Sequence, residues 1–194
     1  MIVDDRFEKM LGAFEEAIGY MKQNQRNDAL REQILSYFSS MILTDDERAA
    51  RLGLPEGCRI REGAKIISPE NFTCGKYTWI GEGAILDASG GLEIGEHTSI
   101  GLYVMVWTHS SYLGNTMMNN VNGSRYITRK PTKIGSGCFI AGHSVVYPGV
   151  HVKDKTVVLP MTVITKDTPG NCIVAGSPAK VIRELKPEEM LMEI

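Results

Sequence analysis

Lys133-Ile134-Gly135-Ser136-Gly137-Cys138-Phe139-Ile140-Ala141-Gly142-His143-Ser144-Val145-Val146 opens a stretch that runs to Lys166 with one beat. Every sixth position is aliphatic: Ile134, Ile140, Val146, Val152, Val158 and Ile164. Four residues after each stands a small or β-branched side chain: Cys138, Ser144, Val150, Thr156, Thr162 and Thr168. An amphipathic helix repeats its apolar residues every three to four positions and a half-buried strand every second one. A period of six fits neither. It predicts a coil of three short flat faces, about eighteen residues per turn, in which each rung buries its aliphatic side chain by stacking on the next. Gly135, Pro148 and Pro160 suit the corners, where strands end.

Outward from this stretch the beat persists with slips. Ile60, Ile66 and Phe72 are six apart, and the phase then moves by two to Cys74, Ile80 and Leu86. It moves again near Ser89-Gly90-Gly91 and resumes at Ile94, Ile100 and Val106. In a solenoid such slips are bulges or small corner loops. Between Ser110 and Lys130 the beat is lost for 21 residues rich in Asn, Met, Gly and Ser. A loop that long inside a compact array is functional or disordered.

The run Ile134–Ala141, then Val146-Tyr147-Pro148-Gly149-Val150, Val163-Ile164-Thr165-Lys166-Asp167 and the closing Ala175-Gly176-Ser177-Pro178-Ala179-Lys180-Val181-Ile182-Arg183 together resemble the left-handed β-helix (hexapeptide-repeat) acetyltransferases. Within them the chain is most similar to the maltose/galactoside type and to sugar acetyltransferases of bacterial surface polysaccharides. The resemblance covers about residues 58–184. It implies a mainly β fold, with the left hand of the coil coming from the resemblance alone, since the handedness rule for parallel crossovers predicts the opposite.

The rest of the chain frames this coil. Phe7, Met10, Leu11, Phe14, Ile18 and Met21 make a helical stripe over residues 5–22, and Leu30, Ile34, Phe38 and Met41 a second from Asp28. Thr44-Asp45-Asp46-Glu47 is a capping box for a short third helix ending at Gly53. Residues 1–56 are thus expected as a helical extension used for packing or oligomerisation. The resemblance adds a second reading, a lid over the acceptor site. The β-helix is expected over 57–184, with a long loop at 110–130, and a short helical tail over 185–194 with Pro187 in its first turn.

Composition narrows the function class. A net charge of −2 without basic runs argues against nucleic acid and anionic membranes. The N-terminus lacks a signal-peptide layout, and no apolar run is long enough to span a membrane. Cys58, Cys74, Cys138 and Cys172 are widely spaced with no CxxC pair, which reads as reduced thiols in a cytoplasmic protein.

His109 ends Val106-Trp107-Thr108-His109, where coil gives way to loop, and loops borne on rigid scaffolds concentrate catalytic groups. The resemblance implies that His109 is the general base, taking a proton from an acceptor hydroxyl or amine as it attacks acetyl-CoA. Imidazole is suited to that task near neutral pH. Counted from Ile94-Gly95, His109 comes about two residues earlier than in the maltose type. His97 and His143 fall at corners and His151 within a regular coil, which reads as surface placement, and the four histidines do not match the zinc spacing of γ-type carbonic anhydrases. No metal is expected.

For the donor, the resemblance implies coenzyme A in a groove between coils of adjacent subunits of a homotrimer. The matching positions are Gly142, Pro160 and Thr165 for the pantetheine arm, Lys166 and Arg183 for the phosphates, and Pro178 as a platform for adenine. For the acceptor, Asp87, Tyr112, Asn115 and Arg125 are candidates to bind sugar hydroxyls. The expectation is an acetyl-CoA-dependent O-acetyltransferase acting on a sugar or glycan precursor. N-acetylation of an amino-sugar nucleotide, O-acetylation of an antibiotic, and a non-catalytic β-helix assembly subunit stay open.

Overall fold

The computed structural model describes residues 9–10, 12–13, 16, 42–118 and 126–190. The chain divides into two units, Met1–Leu43 and Thr44–Ile194. In the first unit Lys9, Met10, Gly12, Ala13 and Glu16 are helical, within the expected first helix. The helix expected from Asp28 lies outside the described residues.

The second unit opens with the helix Asp45–Arg51. Glu47 reaches back to accept the Thr44 N–H at 2.8 Å, and Gly53, at φ +65°, ends the turn. Arg48 is buried and donates to the Ile60 carbonyl at 2.9 Å, so the helix closes the open end of the first coil. A solenoid requires such a cap, because its first rung otherwise leaves backbone groups unpaired.

The coil then climbs through three parallel faces and is a left-handed β-helix. The first face stacks Arg59–Ile60, Trp79–Ile80, Ser99–Ile100, Phe139–Ile140, Thr156–Val158 and Cys172–Ala175. The second stacks Lys65–Ile67, Ile85–Asp87, Met105–Val106, Val145–Val146 and Val163–Ile164. The third stacks Phe72–Cys74, Leu92–Ile94, Thr132–Ile134 and His151–Val152. The last parallel strand, Cys172–Ala175, turns back antiparallel as Lys180–Glu184 and so covers the other end. The closing motif therefore includes a strand that the six-residue beat does not reveal.

All six aliphatic positions of the organising stretch are at most 2% exposed, and their small or β-branched partners at most 4%. The partners serve the corners. Thr98 donates to the Gly135 carbonyl at 2.7 Å, Thr156 to Lys153 at 2.6 Å and Thr162 to Leu159 at 2.7 Å. A small hydroxyl at this position satisfies buried carbonyls that no strand reaches. At two corners the chain takes positive φ in stacked columns, Tyr77 over His97 and Tyr103 over His143, with the rings stacked at 4.9 and 5.3 Å. His97 and His143 are thus exposed corner residues, and His151 is exposed on the third face.

The slips acquire a single location. Between inward residues of the first and second faces, and of the third and first, the spacing is always six, as in Ile60 to Ile66 and Cys74 to Ile80. Between the second and third faces it is 8 from Ile66 to Cys74, 8 from Leu86 to Ile94, 28 from Val106 to Ile134 and 6 from Val146 to Val152. Every extra residue in the coil is inserted at one corner. The 3₁₀ turn Pro69–Asn71 occupies it in the first coil, and Ser89-Gly90-Gly91 in the second.

The cysteines are free thiols, with Cys58 Sγ 3.8 Å from Cys74 Sγ. Burial, with the neighbouring Cys58, pushes the Cys74 thiol up to about 12, which keeps it protonated and poorly nucleophilic. No helix among the described residues is long and apolar enough to cross a membrane.

Candidate active site

The long insertion begins on an ordered ribbon. His109–Ser110 pairs antiparallel with Thr128–Arg129, and the short helix Tyr112–Thr116 follows the first of these strands. Thr132 ties the base of the ribbon to the coil, donating to the Trp107 carbonyl at 2.8 Å and accepting the Gly149 N–H at 3.1 Å. His109 therefore projects from a junction fixed on both sides. Its side chain is 30% exposed, and Trp107 meets the ring edge-on at 6.0 Å between centroids.

Beneath His109 lies Asp87, fully buried, with Oδ2 2.7 Å from Nδ1. The carboxylate also accepts the Thr108 N–H at 2.8 Å, the Thr108 hydroxyl at 2.9 Å and the Ser89 N–H at 3.0 Å. Burial by itself raises the Asp87 pKa. The hydrogen bonds from Thr108, Ser89 and His109 outweigh it and hold the carboxyl well below the ordinary carboxylate range. An ionised carboxylate only accepts, so Nδ1 carries the ring proton and donates, leaving Nε2 with its lone pair. The Ser89 hydroxyl lies 3.2 Å from the same ring nitrogen. The arrangement fixes the tautomer and the ring plane of His109.

This corrects the expectation for Asp87. Its oxygens are occupied inside the coil, so it positions His109 and presents nothing to a sugar hydroxyl. Coil geometry carried the missing signal: inward residues at this level recur every 20 positions (Ile60, Ile80, Ile100), which sets Asp87 beneath the Trp107–His109 segment. Ser89 and Thr108, unassigned by the sequence reading, complete the support.

An acid titration tests this support. With its folded pKa below the unfolded value of about 3.9, Asp87 adds stability that is present above that value and lost as pH falls towards the folded one. Chemical denaturation of Asp87→Asn is expected to show lower stability at pH 7 than wild type and a shallower decline from pH 5 to 3. Parallel declines would mean that Asp87 does not bind its proton differently on folding.

The other candidates sit apart. Tyr112 is exposed at the start of the short helix and Asn115 lies within it, while Arg125 is outside the described residues. Gly142 and Pro160 stack at the corner between first and second faces, where the Met161 N–H bonds the Gly142 carbonyl at 3.1 Å. The turn bearing Pro178 joins that corner through Ala179 N–H to Val163 O at 2.8 Å. Thr165 and Lys166 are exposed at the far end of the strand Val163–Ile164. Arg183, opposite Ile173, is away from this corner, and its guanidinium holds both Glu189 oxygens at 2.7 Å. The tail helix Pro187–Met190, expected from Pro187, supplies that carboxylate. Among the described residues no group of three or more His, Cys, Asp or Glu is placed to hold a metal ion.

No family model matches the chain. It is 34% identical over 125 residues to the colanic acid biosynthesis acetyltransferase WcaF of Escherichia coli (strain K12), a match covering 64% of this chain and 65% of the relative. It is 38% identical over 68 residues to the galactoside O-acetyltransferase of the same organism, covering 35% of this chain and 32% of that one. The match thus spans less than two thirds of the length of these curated relatives. The structure of the hexapeptide-repeat acetyltransferase VCA0836 of Vibrio cholerae with acetyl coenzyme A superposes with a TM-score of 0.65 at 24% identity, over 84% of this chain and 91% of that chain. The chain is similar to the hexapeptide-repeat acetyltransferases. The hexapeptide-repeat fold accounts for the beat of six.

Proposed function

We propose that this chain is an acetyl-CoA-dependent O-acetyltransferase acting on a hydroxyl of a sugar or glycan precursor. The observation that carries the reading is the His109–Asp87 pair, 2.7 Å apart, at the mouth of the only large insertion in the described coil. His109 Nε2 removes the proton from the acceptor hydroxyl. The oxygen attacks the acetyl carbonyl carbon, the carbon–sulfur bond breaks, and the proton passes from the imidazolium to the departing thiolate. Asp87 keeps Nδ1 protonated throughout and stabilises the imidazolium that forms. The donor lies along the corner bearing Gly142, Pro160 and Pro178, and must reach beyond it for Lys166 and Arg183, which lie off that corner, to face its phosphates. Arg183 must then exchange Glu189 for the ligand. WcaF and galactoside O-acetyltransferase, both named for sugar-related acetyl transfer, support the sugar-like acceptor. The test is thiol release from acetyl-CoA against a panel of sugars, amino-sugar nucleotides and antibiotics. Release only with amino acceptors would replace the O-acetyl reading, and none with any acceptor would remove acetyl transfer.

The working form is a homotrimer in the cytoplasm. Above Lys65, the outward residues of the second face form an apolar column, Ile85, Met105, Val145 and Val163, continued by half-exposed Tyr147. The third face instead presents Thr73, Glu93, Lys133 and His151, with Lys133 paired to Glu93 at 2.8 Å. An apolar strip of this kind is what a copy of the same chain covers, and a three-faced prism closes with three-fold symmetry. Light scattering is expected to give three times the chain mass of 21.4 kDa. A stable monomer that binds acetyl-CoA normally would refute it.

A further inference from the structure

The ribbon that carries His109 places a second functional group beside it. Arg129 is directly opposite His109 in the antiparallel pair, and the Lys130 N–H donates to the Thr108 carbonyl at 2.8 Å. That bond joins the residue after Arg129 to the residue before His109, which makes Arg129 and His109 a non-hydrogen-bonded pair. In such a pair both side chains leave the same face and the Cα atoms are at their closest, about 4.5 Å. Lys130 follows with the opposite alternation, its aliphatic stem against Gly149. Among the described residues no ion pair or side-chain hydrogen bond occupies Arg129, which is exposed. Asp87, at the same corner, is buried and engaged below the imidazole, and Lys130 alternates to the other face. A guanidinium fork left open beside a base matches the planar oxygens of a carboxylate or phosphate far better than a lone hydroxyl.

We infer that the acceptor carries an anionic group, and that Arg129 binds it and thereby sets the reacting hydroxyl against His109 Nε2. This rests on the acetyl-transfer reading for its chemistry, while the anion site itself can be measured without turnover. The anion is a carboxylate, as on a uronic acid, or a phosphate, as on a sugar phosphate or nucleotide sugar. Arg129 acts here as a specificity and positioning residue, with His109 alone moving the proton.

Calorimetric titration of the full chain, saturated with CoA so that phosphates cannot enter the donor groove, uses glucuronic acid, glucose 1-phosphate, UDP-glucose and glucose as probes. At least one anionic probe is expected to bind more tightly than glucose, and which one distinguishes carboxylate from phosphate. Arg129→Gln is expected to weaken that probe roughly 10–100-fold, the scale of a charge-assisted hydrogen bond, and to leave glucose unchanged. Arg129→Lys should recover part of the loss. In turnover the same substitution should raise KM for the anionic acceptor with kcat little altered. The inference is overturned if no anionic probe binds wild type better than glucose, or if Arg129→Gln weakens charged and neutral probes alike. Arg129-dependent anion binding without any thiol release would instead sink acetyl transfer and leave the anion site standing.

Discussion

Turnover of His109→Ala is expected to fall by roughly 10²–10⁴-fold, the usual contribution of a positioned general base, with acetyl-CoA binding close to that of wild type. The two effects separate because His109 sits on the ribbon, whereas the proposed donor positions lie on the corners and the closing hairpin. The wild-type kcat/KM should rise with pH through one ionisation, and the mutant should lack that limb. His97→Ala and His143→Ala are controls, since both rings stack on tyrosines at corners remote from the ribbon. Near-normal turnover in His109→Ala would end the proposal. Asp87→Asn should also slow turnover while acetyl-CoA still binds. An amide in place of the carboxylate no longer enforces a proton on Nδ1 and leaves one oxygen where two accept from four donors.

The largest effect on stability is expected from Ile140→Asp. Ile140 is fully buried, between Ile100 below and Val158 above. A carboxylate there has no cation or hydrogen-bond donor in reach among the aliphatic ladder, and costs several kcal/mol. Because each coil relies on its neighbours to cover its inward residue, the defect is not local, and the protein should be insoluble or unfolded. Lys153→Asp, on an exposed position one residue past the inward Val152, should be tolerated. Equal behaviour of the two in soluble expression and thermal melts would mean that the inward register is misassigned.

The sequence disclosed the core more readily than the site, for a physical reason. Inward positions repeat because each must meet the same kind of neighbour, so Ile134 to Ile164 announce themselves without any partner being known. A pair such as the proposed base and its carboxylate does not repeat. His109 stood out because it lies where the beat stops, but Asp87 looked like any acid beside a glycine-containing turn. Its role depends on which coil rests on which, and that required the insertions to be assigned to a corner. Arg129 was hidden by the same loss of beat, since a two-residue antiparallel pairing within a 21-residue loop leaves no periodic trace. The strand Lys180–Glu184 escaped notice because it caps the stack and need not match the rung pattern.

The corner that absorbs every insertion gives the molecule one hinge-free place at which chain length is a free variable. Strands before and after it keep their partners whether the connection spans 6, 8 or 28 positions. Lengthening a flexible connection costs only about 0.6 kcal/mol per doubling in closure entropy. Selection can therefore redraw what the site recognises by rewriting one stretch of chain, with no compensating change in the ladder that keeps the protein folded. His109 stays fixed at the root of that stretch, held from below by Asp87, so under the proposed function a new acceptor can be tried without moving the pair.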